Sequence, residues 1–150
     1  MSNRANGANG ERRSVSSGTV WEEKFGYSRA VRVGDRILVS GTTATGPGGP
    51  VAPGDPGGQA SYALDKIEKA IRDLGGTLGD VVRTRIFIAR MEDWEAVAKV
   101  HGDRFGKIRP ANTLVRADLV GDAFLVEIEA EAVVGSAADA EPGGAEPGGK

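Results

Sequence analysis

The chain has 150 residues, a formal net charge of −2, 39% hydrophobic and 27% charged residues, no cysteine and a single histidine, His101. That length supports one domain with one core, and the missing thiols exclude disulfides, thiolate nucleophiles and thiolate zinc sites, while one imidazole excludes a multi-histidine metal centre. Without a basic run there is no electrostatic footprint for nucleic acid or for an anionic membrane surface, so catalysis must draw on carboxylates, hydroxyls, amides, backbone groups or water, with no metal and no cofactor.

In chain order, residues 1–14 carry no apolar periodicity and read as a disordered tail. They lack the hydrophobic region of a signal peptide, and no stretch approaches ~18 apolar residues, so a cytoplasmic protein is expected. Residues 15–25 read as a first short strand. Tyr27 to Val33 alternates up to the turn pair Gly34-Asp35, and RILVSGTTA follows, which together predict a hairpin. Its second strand ends at Ser40-Gly41, where the loss of a side chain makes the backbone approachable. The glycine- and proline-rich stretch TGPGGPVAPGDPGG, 45–58, is a connection long enough to act as a flap, and it lacks the Lys-Ser/Thr ending of a phosphate loop.

Asp55-Pro56 then supplies a cap and a first-turn proline, and Ala60, Ala63, Leu64, Ile67, Ala70, Ile71 and Leu74 recur at helical spacing until Gly75-Gly76. Residues 80–91 read as a strand with Val82, Thr84, Ile86 and Ile88 on one face and Arg83, Arg85, Phe87 and Ala89 on the other. A second helix carries Trp94, Val97, His101 and Phe105 on one side. Trp21 and Trp94 read as packing residues. Residues 136–150 repeat AEPGG and read as a second disordered tail, which leaves 15–135 as the domain. The order of elements predicts a two-layer α+β fold in which the helices cover one sheet face.

The stretch RPANTLVRADLVGDAFLVEIEAEAVV, 109–134, reads as a closing hairpin with its turn near Val120 to Ala123. That register sets Arg116 opposite Glu127, Leu114 opposite Glu129 and Asn112 opposite Glu131 on one face, with Thr113, Val115, Ala117, Val126, Ile128, Ala130 and Ala132 toward the helices. The face holding Arg83, Arg85, Phe87, Leu114, Arg116, Leu125, Glu127 and Val133 is half apolar and half charged, which points to packing against copies of the same chain. Two readings of the glutamates follow. They form a solvated or inter-subunit charged surface, or Glu127 positions a water or a substrate proton. In the register above, Arg116 pairs with Glu127 and lowers its pKa. Arg29 and Arg109 are alternative cations, each more commonly a surface arginine.

From Tyr27 to Val134 the chain resembles the RidA (YjgF, UK-type) family of imine and enamine deaminases, on GYSRAVRVGDRILVSG, PGDPGGQASYALDKIEKAI, LGDVVRTRIFIARMEDWEAV, RPANTLVRADL and VEIEAEAVV. The resemblance implies a mixed sheet of about six strands with two helices on one face, assembled as a homotrimer with a central barrel and a cleft at each subunit interface. It implies Glu127 as the catalytic carboxylate that holds the attacking water, and the positions of Tyr27, Ser40, Gly41 and Asn112 as substrate contacts. Arg116, on the same expected face but about 13 Å along the strand from Asn112, is a further substrate-binding candidate from the register alone and does not fill the lost cation's place. Asn112 stands where deaminating members carry an arginine for the substrate carboxylate. An amide offers only neutral hydrogen bonds there, which implies an altered substrate. Ala98 and Leu114 likewise replace a common asparagine and cysteine. The implied partners are a small imine or enamine and the chain's own copies, with no nucleic acid and no membrane. Two other readings stand beside it: a non-catalytic small-molecule binder of the same fold, and an endoribonuclease, an activity attached to some members.

Overall fold

The computed structural model describes residues 10–137. Of the two expected tails, residues 1–9 and 138–150 lie outside the described residues. The elements are β1 (Arg12–Val15), α1 (Val20–Phe25), β2 (Ala30–Val33), β3 (Arg36–Thr42), β4 (Thr45–Gly46), β5 (Gly49–Pro50), α2 (Pro56–Asp73), β6 (Val81–Ile88), α3 (Trp94–Phe105), β7 (Ala111–Arg116) and β8 (Val126–Val133). Six strands form one mixed sheet in the order β1-β2-β3-β8-β6-β7, and β4 pairs with β5 in a separate small hairpin. Helices α2 and α3 lie side by side, with α2 across β3 and β8.

Alternation dictates what faces the helices. Ile37 and Val39 of β3, Ile86 and Ile88 of β6, and Val126, Ile128, Ala130 and Ala132 of β8 are buried against Leu64, Ile67 and Ile71 of α2 and Val97 and Phe105 of α3. Asp55 caps α2 by accepting from Gly58 N–H at 3.0 Å, and Gly75, at φ 93°, ends it in the left-handed region that glycine enters without strain. The 45–58 connection is pinned rather than loose: Ala44 is fully buried, Val51 N–H donates to Ala44 O, and Lys66 Nζ donates to Thr45 O at 2.9 Å.

Four expectations are corrected. Strand β1 starts at Arg12, inside the expected tail, and residues 20–25 are helical, not extended. The Glu22 carboxylate accepts from Ser17 N–H, which takes that segment out of strand pairing, and Gly26 at φ 79° ends the turn. On β6, a bulge between Val81 and Arg83 buries Val81 and turns Val82 out, so Val82 does not share the face of Thr84. Trp21 and Trp94 are about half exposed, at 51% and 47%, and lie outside the buried core, Trp21 stacking on Phe25.

The largest correction concerns the closing hairpin, which does not form. Strand β6 lies between β7 and β8, parallel to β7 and antiparallel to β8. Helix α3 supplies the crossover that a parallel pair requires. Residues 117–125 then pass over the end of β6, held by buried Gln59, whose amide donates to Ala123 O at 2.9 Å and accepts from Leu125 N–H at 2.8 Å. Asn112 is consequently level with Thr84, Leu114 with Ile86 and Arg116 with Ile88, all on the helix side, while Thr113 and Val115 join Arg85 and Phe87 on the open face. Because Ile128 is fully buried on β8 between β3 and β6, Ile128→Ala should cost about 3 kcal/mol. Urea unfolding followed by far-UV circular dichroism checks this.

Candidate active site

The site grows from an irregularity in the ladder between β3 and β8. Val39 is level with Ala130 but Thr42 with Ile128, so Ser40 and Gly41 form a bulge in β3. The bulge turns the backbone of Gly41 toward β8, where the Glu127 side chain lies against it. A Cβ built on Gly41 overlaps the Glu127 carboxylate, so only glycine leaves that space free. Ser40 is held on the other side: its Oγ donates to Ser28 O at 2.7 Å, and its N–H donates to Arg29 O at 2.9 Å.

Under the bulge sits Arg29, only 5% exposed. Its Nη1 donates to Gly41 O at 2.6 Å and to Thr42 Oγ1 at 3.0 Å, and its Nη2 lies 3.2 Å from Glu22 Oε2. Glu22 is 3% exposed. Burial pushes its carboxyl up, but hydrogen bonds from Ser17 and Ser16 and the charge of Arg29 outweigh that and hold it below the usual carboxylate range. The Arg29 guanidinium also lies 5.8 Å from the centre of the half-exposed Tyr27 ring. Arg29 is thus a buried structural cation of the site, which corrects its assignment to the surface. Arg109 is exposed, with φ 56°.

The three glutamates of β8 are not equivalent. Glu129 Oε2 pairs with Arg85 Nη1 at 2.5 Å, and Glu131 Oε1 lies 3.9 Å from Arg36 Nη2. Glu127, level with Phe87, has no hydrogen-bond or ion-pair partner among the described residues. Burial raises its pKa, the Arg29 charge partly offsets this, and Glu129 adds to the rise. A partly buried carboxylate with an elevated pKa and vacant lone pairs, set beside exposed backbone, is suited to take a proton from water and give it back.

Arg116 does not pair with Glu127. It lies beyond β6 on the other face of the sheet, and the expected lowering of the Glu127 pKa is overturned in sign. Tyr27, Ser40, Gly41 and Glu127 are brought together within one protomer. Asn112 is not among them. Two ladder spacings and three residues of rise put it about 14 Å from Glu127. Its Nδ2 donates to Thr84 Oγ1 at 2.9 Å, and that hydroxyl also bonds His101 Nε2 at 2.8 Å. Burial lowers the His101 pKa, which favours the neutral ring. Glu22 and Thr42 were missed in the sequence, and Arg29, weighed there as a surface arginine, was the one available signal of them. Among the described residues no cluster of His, Asp or Glu could hold a metal ion, and no helix is long and apolar enough to cross a membrane.

A six-stranded mixed sheet with helices on one face and a carboxylate lying on a glycine bulge defines a small α+β class whose other face is left open. A family profile described as Endoribonuclease L-PSP matches residues 22–134. The chain belongs to that family, which is also the RidA or YjgF/UK114 family. The Streptomyces coelicolor protein SCO2049 is 39% identical over 83% of this chain and 93% of its own. A RutC family protein of Pyrococcus abyssi is 29% identical over 69% and 83%. The crystal structure of Rv2704 from Mycobacterium tuberculosis, a YjgF/YER057c/UK114 member, superimposes with a TM-score of 0.75 at 45% identity, covering 82% of this chain and 99% of that one.

Two measurements test this electrostatic arrangement. Carbon-13 NMR of the glutamate carboxyls should place the Glu127 titration above an ordinary glutamate. Glu129→Gln should move it down, because a neighbouring negative charge is lost and Arg85 is freed. Separately, Glu22→Ala strands a buried guanidinium and should destabilise the fold by about 3 kcal/mol in urea unfolding.

Proposed function

We propose that the protein hydrolyses the C–N double bond of a small imine, or of an enamine through its imine form, releasing ammonia and a carbonyl compound. The observation that carries the reading is Glu127: an unpartnered carboxylate of raised pKa lying on the Gly41 backbone. In its ionised form Glu127 takes a proton from a water molecule as the oxygen attacks the imine carbon. The resulting carbinolamine receives that proton on nitrogen, and the C–N bond breaks as the hydroxyl proton leaves and the carbonyl forms. One water is consumed and one ammonia released, with no redox partner. Backbone groups at Ser40 and Gly41 orient the substrate, Tyr27 forms a wall, and partial exclusion of water strengthens each contact.

The same reading takes the working form to be a homotrimer. The open sheet face carries Leu38 at 47% exposure, Val115 at 42% and partly buried Phe87 among arginine-glutamate pairs. A face of that composition is stabilised by burial against copies of itself. In that assembly Asn112 reaches a cleft from a neighbouring protomer, and its amide in place of a guanidinium favours substrates without a free carboxylate. A non-catalytic binder of the same fold is the second reading, favoured by that change at Asn112. RNA cleavage draws no support from the open face, where Arg85 and Arg36 are neutralised by Glu129 and Glu131.

The deciding experiment is ammonia release from carboxylated and uncarboxylated imines generated in situ. Wild type should exceed buffer, with preference for uncarboxylated imines, and Glu127→Ala should lose about 100-fold or more. The acid limb of kcat/KM should lie above the ordinary glutamate range, because activity needs the ionised carboxylate and its pKa is raised. A silent wild type across the panel moves the assignment to the binder. Sedimentation velocity should give a trimer that Leu38→Asp weakens, and a monomeric wild type removes the interfacial site.

A further inference from the structure

A cavity of about 630 Å³, whose lining does not include Glu127, lies between the Val15–Trp21 segment, the β4–β5 turn and one face of α2. Its volume is in the range of small-ligand sites. Its charges do not balance. The exposed Lys69 is paired with Asp73 at 2.8 Å, and Arg29 at the margin is paired with Glu22. The serines and threonine of the 16–19 loop are occupied as well, since Ser17 and Thr19 donate to the Glu22 carboxylate. That leaves Lys66. It is partly buried, donates to Thr45 O, and has no carboxylate within ion-pair distance among the described residues.

One helical turn away, Tyr62 brings its hydroxyl into the same cavity, with no hydrogen-bond partner among the described residues. Gly46 makes room for it: a Cβ there would sit 3.0 Å from the hydroxyl and 2.9 Å from Val51 Cγ2. Val20, Trp21, Pro47 and Ala70 give the rest of the cavity an apolar and aromatic lining.

We infer that this cavity is a second ligand site, separate from the Glu127 site, for a small organic monocarboxylate with an apolar or planar body. One carboxylate oxygen meets Lys66 Nζ and the other the Tyr62 hydroxyl, so two convergent donors match two oxygens. The body packs against Trp21 and Pro47. A single uncompensated cation sets the ligand charge at one, and Glu22 and Asp73 disfavour a dianion such as phosphate. The half-buried ammonium, otherwise short of a counterion, is neutralised on binding. Burial and the nearby Arg29 charge lower the Lys66 pKa while Glu22 opposes them, so affinity falls with rising pH earlier than for an ordinary lysine.

The test is a titration of the isotope-labelled full chain with benzoate, and in parallel with inorganic phosphate, followed by amide NMR. Saturable benzoate shifts are expected at Gly46, Tyr62, Lys66 and Trp21, with phosphate far weaker. Lys66→Met should weaken benzoate about tenfold or more, Lys66→Arg should retain most of the affinity, and Tyr62→Phe should give a smaller loss. Glu127→Ala should bind benzoate as wild type does, which separates this site from the proposed active site. Non-saturating shifts, shifts centred on Glu127 and Gly41, or equal affinity in Lys66→Met would each overturn the inference.

Discussion

A buried guanidinium holds the functional half of the molecule together. A charge as enclosed as that of Arg29 is tolerated only where it is neutralised and hydrogen-bonded, and its partners come from two separate places in the chain. Glu22 comes from α1, while the Gly41 carbonyl and the Thr42 hydroxyl come from the β3 bulge. Satisfying one cation therefore fixes the position of α1 against the sheet and the direction of the bulged backbone. The same charge tempers the pKa of Glu127, so architecture and acid-base chemistry share one source.

Side-chain periodicity made much of the scaffold legible. The apolar series from Ala60 to Leu74, closed by Asp55-Pro56 and Gly75-Gly76, encodes α2 because capping and burial are local properties. The alternation in 82–88 encodes β6 for the same reason, apart from the bulge at its start, which shifts one residue and leaves no mark in composition. The six-stranded mixed sheet and the family membership likewise agree with the resemblance carried by the quoted strand and helix stretches.

Strand adjacency was not legible. Residues 120–123 read as a tight turn because hydrophobic runs on both sides of a Gly-Asp pair look like a hairpin, and nothing local announces that β6 will be inserted between them. The information sits instead in Gln59, a polar residue on the apolar face of α2 whose amide ties down that passage. Once β6 intervenes, every face assignment on β7 reverses, which is why Asn112 and Arg116 part from Glu127. The buried pair of Glu22 and Arg29 escaped for a related reason: charged residues are read as exposed unless a partner is visible, and this partner is seven residues away across a glycine turn.

The sheet order has a consequence for how the chain comes to be folded. Strand β8 is the last element among the described residues but sits near the middle of the sheet, joining β1-β2-β3 on one side to β6-β7 on the other. Before it arrives there are two partial sheets with open inner edges and two helices without a complete floor. During synthesis the domain therefore cannot close from its N-terminus, and a ribosome-bound chain lacking its final strand exposes the pairing edges that a finished sheet conceals. Closure becomes nearly all-or-none and occurs only after residues 126–133 have left the ribosome, which places the greatest exposure to aggregation in the interval before β8 emerges.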